Sequence, residues 1–216
     1  MLQLQNIRDY MIQTLSTDQT GHDLTHIQRV EKIAVKLAEA EQVDDEGLEI
    51  ILAAVYLHDT VDDKVVTDVE SALEEVKVLL QKAGASNEHQ QQIMDIILNM
   101  SYAKNLDHPK ALSHLGQIVQ DADRIDALGA IGIARAFYYG GTKGHTLYDE
   151  TTPRSLDELN ENNYRDRVSV VNHFHEKLLH LEDSMNTDMG KRIAAERTET
   201  MRTFLKTLNE EMNGER

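Results

Sequence analysis

The sequence predicts an all-α fold, a single compact multi-helix domain over residues 1–216. Three observations carry that expectation. Apolar residues recur at steps of three and four almost throughout, which is the period of one helix face. Only two prolines, Pro109 and Pro153, interrupt the pattern. A chain of 216 residues also suits one core, which can keep growing to roughly 250 residues before chains usually split.

Taken in order, the first helix is expected at about 3–15. The clearest follows at Leu24–Ala40, where Ile27, Val30, Ala34, Leu37 and Ala38 share a face and Asp23 or Thr25 stands ready to cap the first amides. A helix at about 46–58 carries the apolar run Ile50 to Val55, and another is expected at 68–83. Gly84 stops that helix, because glycine accepts the left-handed conformation at a helix end, and Ser86 can cap the next at 87–101. One long helix is expected at 111–137. The segment 138–162 holds Gly140, Gly141, Gly144 and Pro153 with little periodicity, so it reads as an irregular loop, of a length usually functional or disordered. A C-terminal helical pair, at about 163–185 and 188–212, has an apolar stripe through Val168, Val171, Phe174, Leu178 and Leu181.

Composition excludes several classes. There is no cysteine, so disulfide scaffolds, thiolate zinc sites and cysteine nucleophiles are out, and a reducing, cytoplasmic location fits. The longest apolar runs fall short of the ~20 residues a membrane span needs, and Met1 to Tyr10 has no export pattern. Lys and Arg number 22 against 38 Asp and Glu, a net charge of −16, which opposes duplex nucleic acid as a partner. An anionic ligand would have to be held by a metal ion or a local cluster of cations.

The informative pair is His58-Asp59, where the apolar helix ends. An imidazole and a carboxylate there can both turn to one cation; otherwise the histidine caps carbonyls and the aspartate caps the next turn. His26 borders the core face of its helix, beside Val30 and Ile33. Asp123, in Gln120-Asp121-Ala122-Asp123-Arg124-Ile125-Asp126, also points inward or half inward. A carboxylate so placed needs a cation, and Arg124, Arg135 or a metal could supply it.

His26, then His58-Asp59, then Asp123 in an Ala-Asp-Arg-Ile context resembles the HD-domain metal-dependent phosphohydrolases. The turn His58-Asp59-Thr60-Val61-Asp62-Asp63 is similar to that of the pyrophosphohydrolase members. The segments around Asp121–Arg135, His173–Leu179 and Thr187–Arg197 look like the small bacterial YedJ/YpgQ branch, so the resemblance covers nearly the whole chain.

The resemblance implies one divalent metal ion on His26, His58, Asp59 and Asp123. Two imidazoles and two carboxylates suit a six-coordinate Mn²⁺, Mg²⁺, Co²⁺ or Fe²⁺, with Mn²⁺ favoured because imidazole is a poor match for Mg²⁺. It implies a small-molecule nucleotide substrate, most specifically a nucleoside triphosphate cleaved to monophosphate and pyrophosphate. Guanosine-tetraphosphate hydrolysis, nucleotide monophosphatase or phosphodiesterase activity, or non-catalytic sensing would use a similar centre. By themselves Asp62 and Asp63 read as solvated turn residues; the resemblance makes them catalytic, one carboxylate taking a proton from the attacking water. The family often has Glu at the position of Asp62. Arg29, Lys64, Lys143 and His145 are the candidate phosphate ligands. The remaining histidines read as structural or surface residues, and a homo-oligomer is compatible with the pattern.

Overall fold

A computed structural model describes residues 1–16, 23–63, 65–102, 104–107, 110–160, 163, 166 and 168–216, with the backbone alone at 104 and 107. Lys64, one of the candidate phosphate ligands, lies outside the described residues, as do His22 and His108. Among the described residues the regular elements are helical and no strand occurs, so the fold is all-α as expected. Two compact units are distinguished, Met1–Ala122 and Asp123–Arg216.

The first unit contains α1 (Leu4–Leu15), α2 (Leu24–Ala40), α3 (Asp45–Leu57), a 3₁₀ turn (His58–Val61), α4 (Val69–Lys82), α5 (Asn87–Asn99), the single turn α6 (Lys104–Asp107) and most of α7 (His114–Asp126). Asp23, Asp44, Asp68 and Ser86 cap α2, α3, α4 and α5, each accepting from the amide three residues on. Such a cap satisfies an amide that has no partner within the helix and contributes about 1 kcal/mol. α3 is the centre of this unit. It packs against α1, α2 and α5, and Ile51, Ala53, Ala54, Val55 and Leu57 are fully buried. Burying each large aliphatic side chain is worth about 1.5–3 kcal/mol, which holds the end of α3 firmly in place.

In the second unit the helices are α8 (Gly129–Thr142), α9 (Val170–Glu176) and α10 (Asp188–Met212), with short 3₁₀ turns at Leu156–Glu158, Leu178–His180 and Glu182–Ser184. All three phenylalanines of the chain meet here. The Phe137 ring lies 5.9 Å from Phe174 and 5.7 Å from Phe204, and Phe174 lies 6.3 Å from Phe204. These separations suit attractive tilted and edge-to-face packing.

Three boundaries differ from the sequence expectation. The helix expected at 111–137 is two helices, because Gly129 adopts a left-handed φ of +72° after an extended Leu128. α8 then continues through Tyr138 and the glycine pair to Thr142, so the irregular stretch begins at 143 rather than 138. Gly140 serves close packing there: a Cβ would lie 2.3 Å from Cγ2 of Val170 on α9. The helix expected at 163–185 is α9 followed by two 3₁₀ turns. In that tighter winding residues three apart eclipse, which suits the joint burial of Leu178 and Leu181.

The irregular stretch is fastened to α9. Arg154 donates to the buried Glu176 carboxylate through Nη2 (2.6 Å), Nε (3.1 Å) and its backbone amide (3.0 Å). Asn172 Nδ2 donates to the carbonyl of Thr151 at 3.0 Å and to Asp149 at 3.2 Å, and the amide of Val170 donates to the carbonyl of Thr146 at 2.9 Å. No described helix is long and apolar enough to cross a membrane.

Candidate metal centre

Three sequence segments supply the centre. His26 occupies the first turn of α2, where its amide donates to the Asp23 carboxylate at 2.8 Å. Burial raises the Asp23 carboxyl, but the Thr25 hydroxyl, the His26 amide and the nearby Arg29 outweigh it and hold the group below its usual pKa. That charged cap fixes the helix start and the direction in which His26 leaves it.

His58 caps the C-terminus of α3, and the 3₁₀ turn follows at once. Its Nδ1 lies 2.9 Å from the carbonyl oxygen of Val55. His58 and Asp59 are 9% and 4% exposed and His26 is 1% exposed, so the group sits inside the protein wall. The two imidazole rings meet edge to face at 5.7 Å. Asp59 stands between them, with Oδ2 at 3.4 Å from Nε2 of His26 and Oδ1 at 3.4 Å from Nε2 of His58.

Asp123 comes from α7. The division between the two units falls inside this helix, and Asp123 follows directly on its residues His114–Ala122. Ligand atoms of His26, His58 and Asp123 all lie within 4.8 Å of one another, a spacing at which one ion can be shared. Imidazole and carboxylate donors suit a divalent transition ion, and the absence of cysteine excludes a thiolate zinc site. The residues therefore fit a divalent metal on their own chemistry.

The other candidates are placed as follows. Asp62 is half-buried and ends the 3₁₀ turn, its amide donating to the carbonyl of Asp59 at 3.2 Å; Asp63 is exposed. Asp121, two residues before Asp123, is 0% exposed. Arg124 donates to the carbonyl of Ser184 at 2.8 Å, and Arg135 pairs with Asp126 at 2.8 Å. Arg29 donates to the Thr25 hydroxyl at 3.1 Å at the head of α2. Lys143 and His145 lie in the second unit, at the end of α8. The sequence reading missed Val55, whose carbonyl orients His58; only its position three residues before the histidine on a helix could have pointed to it.

A family model described as "HD domain" matches residues 23–128, a span that contains all four candidate ligands. The chain is also 36% identical over 213 residues to YpgQ of Bacillus subtilis, covering 98% of this chain and 95% of that protein. This chain belongs to the HD-domain family. Among solved structures, a Lactobacillus plantarum protein superposes on this HD-domain chain with a TM-score of 0.87 at 39% identity, covering 98% and 97% of the two chains. Bacillus subtilis YpgQ, solved in complex with ADP, gives a TM-score of 0.76 at 34% identity over 98% of each chain. An HD-superfamily hydrolase from Bacillus thuringiensis gives 0.74 at 37% identity, over 97% of this chain and 96% of that one.

Proposed function

We propose that this HD-domain protein hydrolyses a nucleotide phosphoanhydride, converting a nucleoside or deoxynucleoside triphosphate to the monophosphate and pyrophosphate. The observation that carries the proposal is the convergence of His26, His58 and Asp123 around one point, with Asp59 between the two buried rings. Homology supports it: the related YpgQ has been solved with ADP, and the related Bacillus thuringiensis protein is described as an HD-superfamily hydrolase.

His26, His58, Asp59 and Asp123 would hold the divalent ion, with Mn²⁺ the preferred species. When bound, such an ion supplies Lewis-acid polarisation of a phosphoryl oxygen and makes water more acidic. The chain's own residues do the rest. Asp62 accepts a proton as the water oxygen bonds to the phosphorus nearest the nucleoside, and the bond from that phosphorus to the bridging oxygen breaks. The electron pair leaves with pyrophosphate. Asp62 suits this role better than Asp63 because it is half-buried and follows the 3₁₀ turn directly, while Asp63 faces solvent. Arg29, Lys143 and His145 are assigned to the phosphates.

The test is a panel of ribo- and deoxyribonucleotides incubated with the Mn²⁺-loaded chain, with pyrophosphate and orthophosphate assayed separately. Pyrophosphate in a one-to-one ratio with monophosphate is expected. Orthophosphate alone would replace this reading with a monophosphatase or stepwise phosphatase.

A further inference from the structure

Asp123 stands at the start of the last turn of α7, and the last four carbonyls of an α-helix find no amide further along the helix to pair with. This turn closes by tighter bonds. The amide of Ala127 donates to the carbonyl of Arg124 and that of Leu128 to the carbonyl of Ile125, both at 3.1 Å. Ile125, Asp126 and Leu128 are all 0% exposed, so the turn is closed to bulk water.

A side chain far along the sequence reaches it instead. Nη1 of Arg197, half-buried on α10, donates to the carbonyl of Ile125 at 2.7 Å across 72 residues of chain. A cation is the favourable charge where the carbonyl dipoles of a helix end, and a charged donor makes the stronger hydrogen bond. The route of this arginine is built in. Gly129 leaves room for its stem, since a Cβ there would lie 3.1 Å from both Cβ and Cγ of Arg197. Two more guanidinium groups hold the same stretch, Arg124 on the carbonyl of Ser184 and Arg135 on the carboxylate of Asp126, each at 2.8 Å. All of these groups belong to the second unit, as does Asp123.

Building on the metal-centre reading, we propose that Arg197 is a positioning residue for Asp123: it clamps the last turn of α7 and so fixes the direction in which the Asp123 carboxylate leaves the helix. Arg197 acts through the backbone of Ile125, two residues beyond the ligand. A contact that served only to hold α10 in place would add stability and leave metal affinity alone; a clamp on the ligand's own turn changes both.

The test measures Mn²⁺ affinity of the full chain by calorimetric titration, together with urea unfolding, for wild type, Arg197→Met, Arg197→Lys and Arg154→Met. Methionine keeps a stem over Gly129 and removes the donors. Arg197→Met should weaken Mn²⁺ binding by ~10-fold or more, the loss expected when an outer partner of a metal ligand goes, and Arg197→Lys should recover part of it with a single ammonium in place of the fork. Arg154→Met destabilises the same unit through Glu176 and should bind Mn²⁺ like wild type. Wild-type affinity in a folded Arg197→Met chain, or an equal loss in Arg154→Met, would overturn the clamp. Should Arg197→Met not fold, amide hydrogen exchange of the wild type decides: Mn²⁺ should slow exchange at Ala127 and Leu128, and no change at either would overturn it. A wild-type chain that takes up no Mn²⁺ defeats the metal-centre reading and the clamp with it. One that shows the expected losses yet hydrolyses no triphosphate defeats the proposed activity and leaves the clamp standing.

Discussion

Nδ1 of His58 lies 2.9 Å from the carbonyl oxygen of Val55, one turn back along α3. A carbonyl can only accept, so Nδ1 carries the proton of this contact, and Nε2 is the nitrogen that faces Asp59 at 3.4 Å. The buried helix end thereby fixes both the ring's tautomer and its direction, as protein carbonyls do for metal-binding histidines. Replacing His58 with Ala should lower metal affinity at least ~10–100-fold while the helical circular dichroism stays near wild type. Stoichiometric metal in that variant, measured by calorimetric titration, would count against His58 as a ligand.

Asp121 and Asp123 are two residues apart on α7, about 200° around the helix axis, so they cannot both face one ion. The geometry brings Asp123 to the histidines, while Asp121 is closed off from solvent. Asp123→Asn should therefore weaken Mn²⁺ binding more than Asp121→Asn, and Asp121→Asn should act chiefly on thermal stability. The reverse order in a metal titration would exchange the two assignments.

Asp62→Asn should reduce turnover by ~10²–10⁴ with metal affinity nearly unchanged, the signature of a group acting on water. Asp63→Asn, at an exposed position, should stay within a few-fold of wild type. Steady-state kinetics of the two single variants and the double variant decide this, since near-normal turnover in the double variant leaves neither with a part in the chemistry.

The Arg154–Glu176 pair should be the strongest fastening of the segment that follows α8. Glu176 is 4% exposed, so Arg154→Ala strands a buried carboxylate and should cost about 3–5 kcal/mol in urea unfolding. Arg154→Met with Glu176→Met should recover most of that loss, because the stranded charge is then gone. A single variant within 1 kcal/mol, on the order of a surface pair, would show the contact to be dispensable.

What the sequence disclosed depended on how local the cause was. The all-α class, the span of α2 and the caps at Asp23 and Ser86 rest on periodicity and capping chemistry within a few residues, and they are as expected. His26 and Asp123 stood out as polar residues turned toward the core and His58-Asp59 as a pair at the end of an apolar helix, but only the resemblance to the HD-domain family joined the four as ligands; the structure brings His26, His58 and Asp123 together. The break at Leu128–Gly129 was not legible, because a glycine inside an apolar pattern does not announce the sign of its φ. Nor was the continuation of α8 through Gly140, which depends on Val170 thirty residues onward filling the space a side chain would take. His173 looked like a surface or structural histidine. Its neighbours include His145, far off in sequence and brought near by the segment between α8 and α9.

The most direct measurement is metal-dependent pyrophosphate release. The chain is stripped with chelator, Mn²⁺ is added back in substoichiometric steps with a deoxynucleoside triphosphate present, and bound metal and pyrophosphate release are recorded at each step. No activity is expected in excess chelator, with release that rises in proportion to metal up to about one ion per chain, and no such rise in a chain carrying His58→Ala and Asp59→Ala. Full activity in excess chelator, or an unchanged metal-dependent rise in the doubly substituted chain, would contradict metal-dependent hydrolysis at this centre.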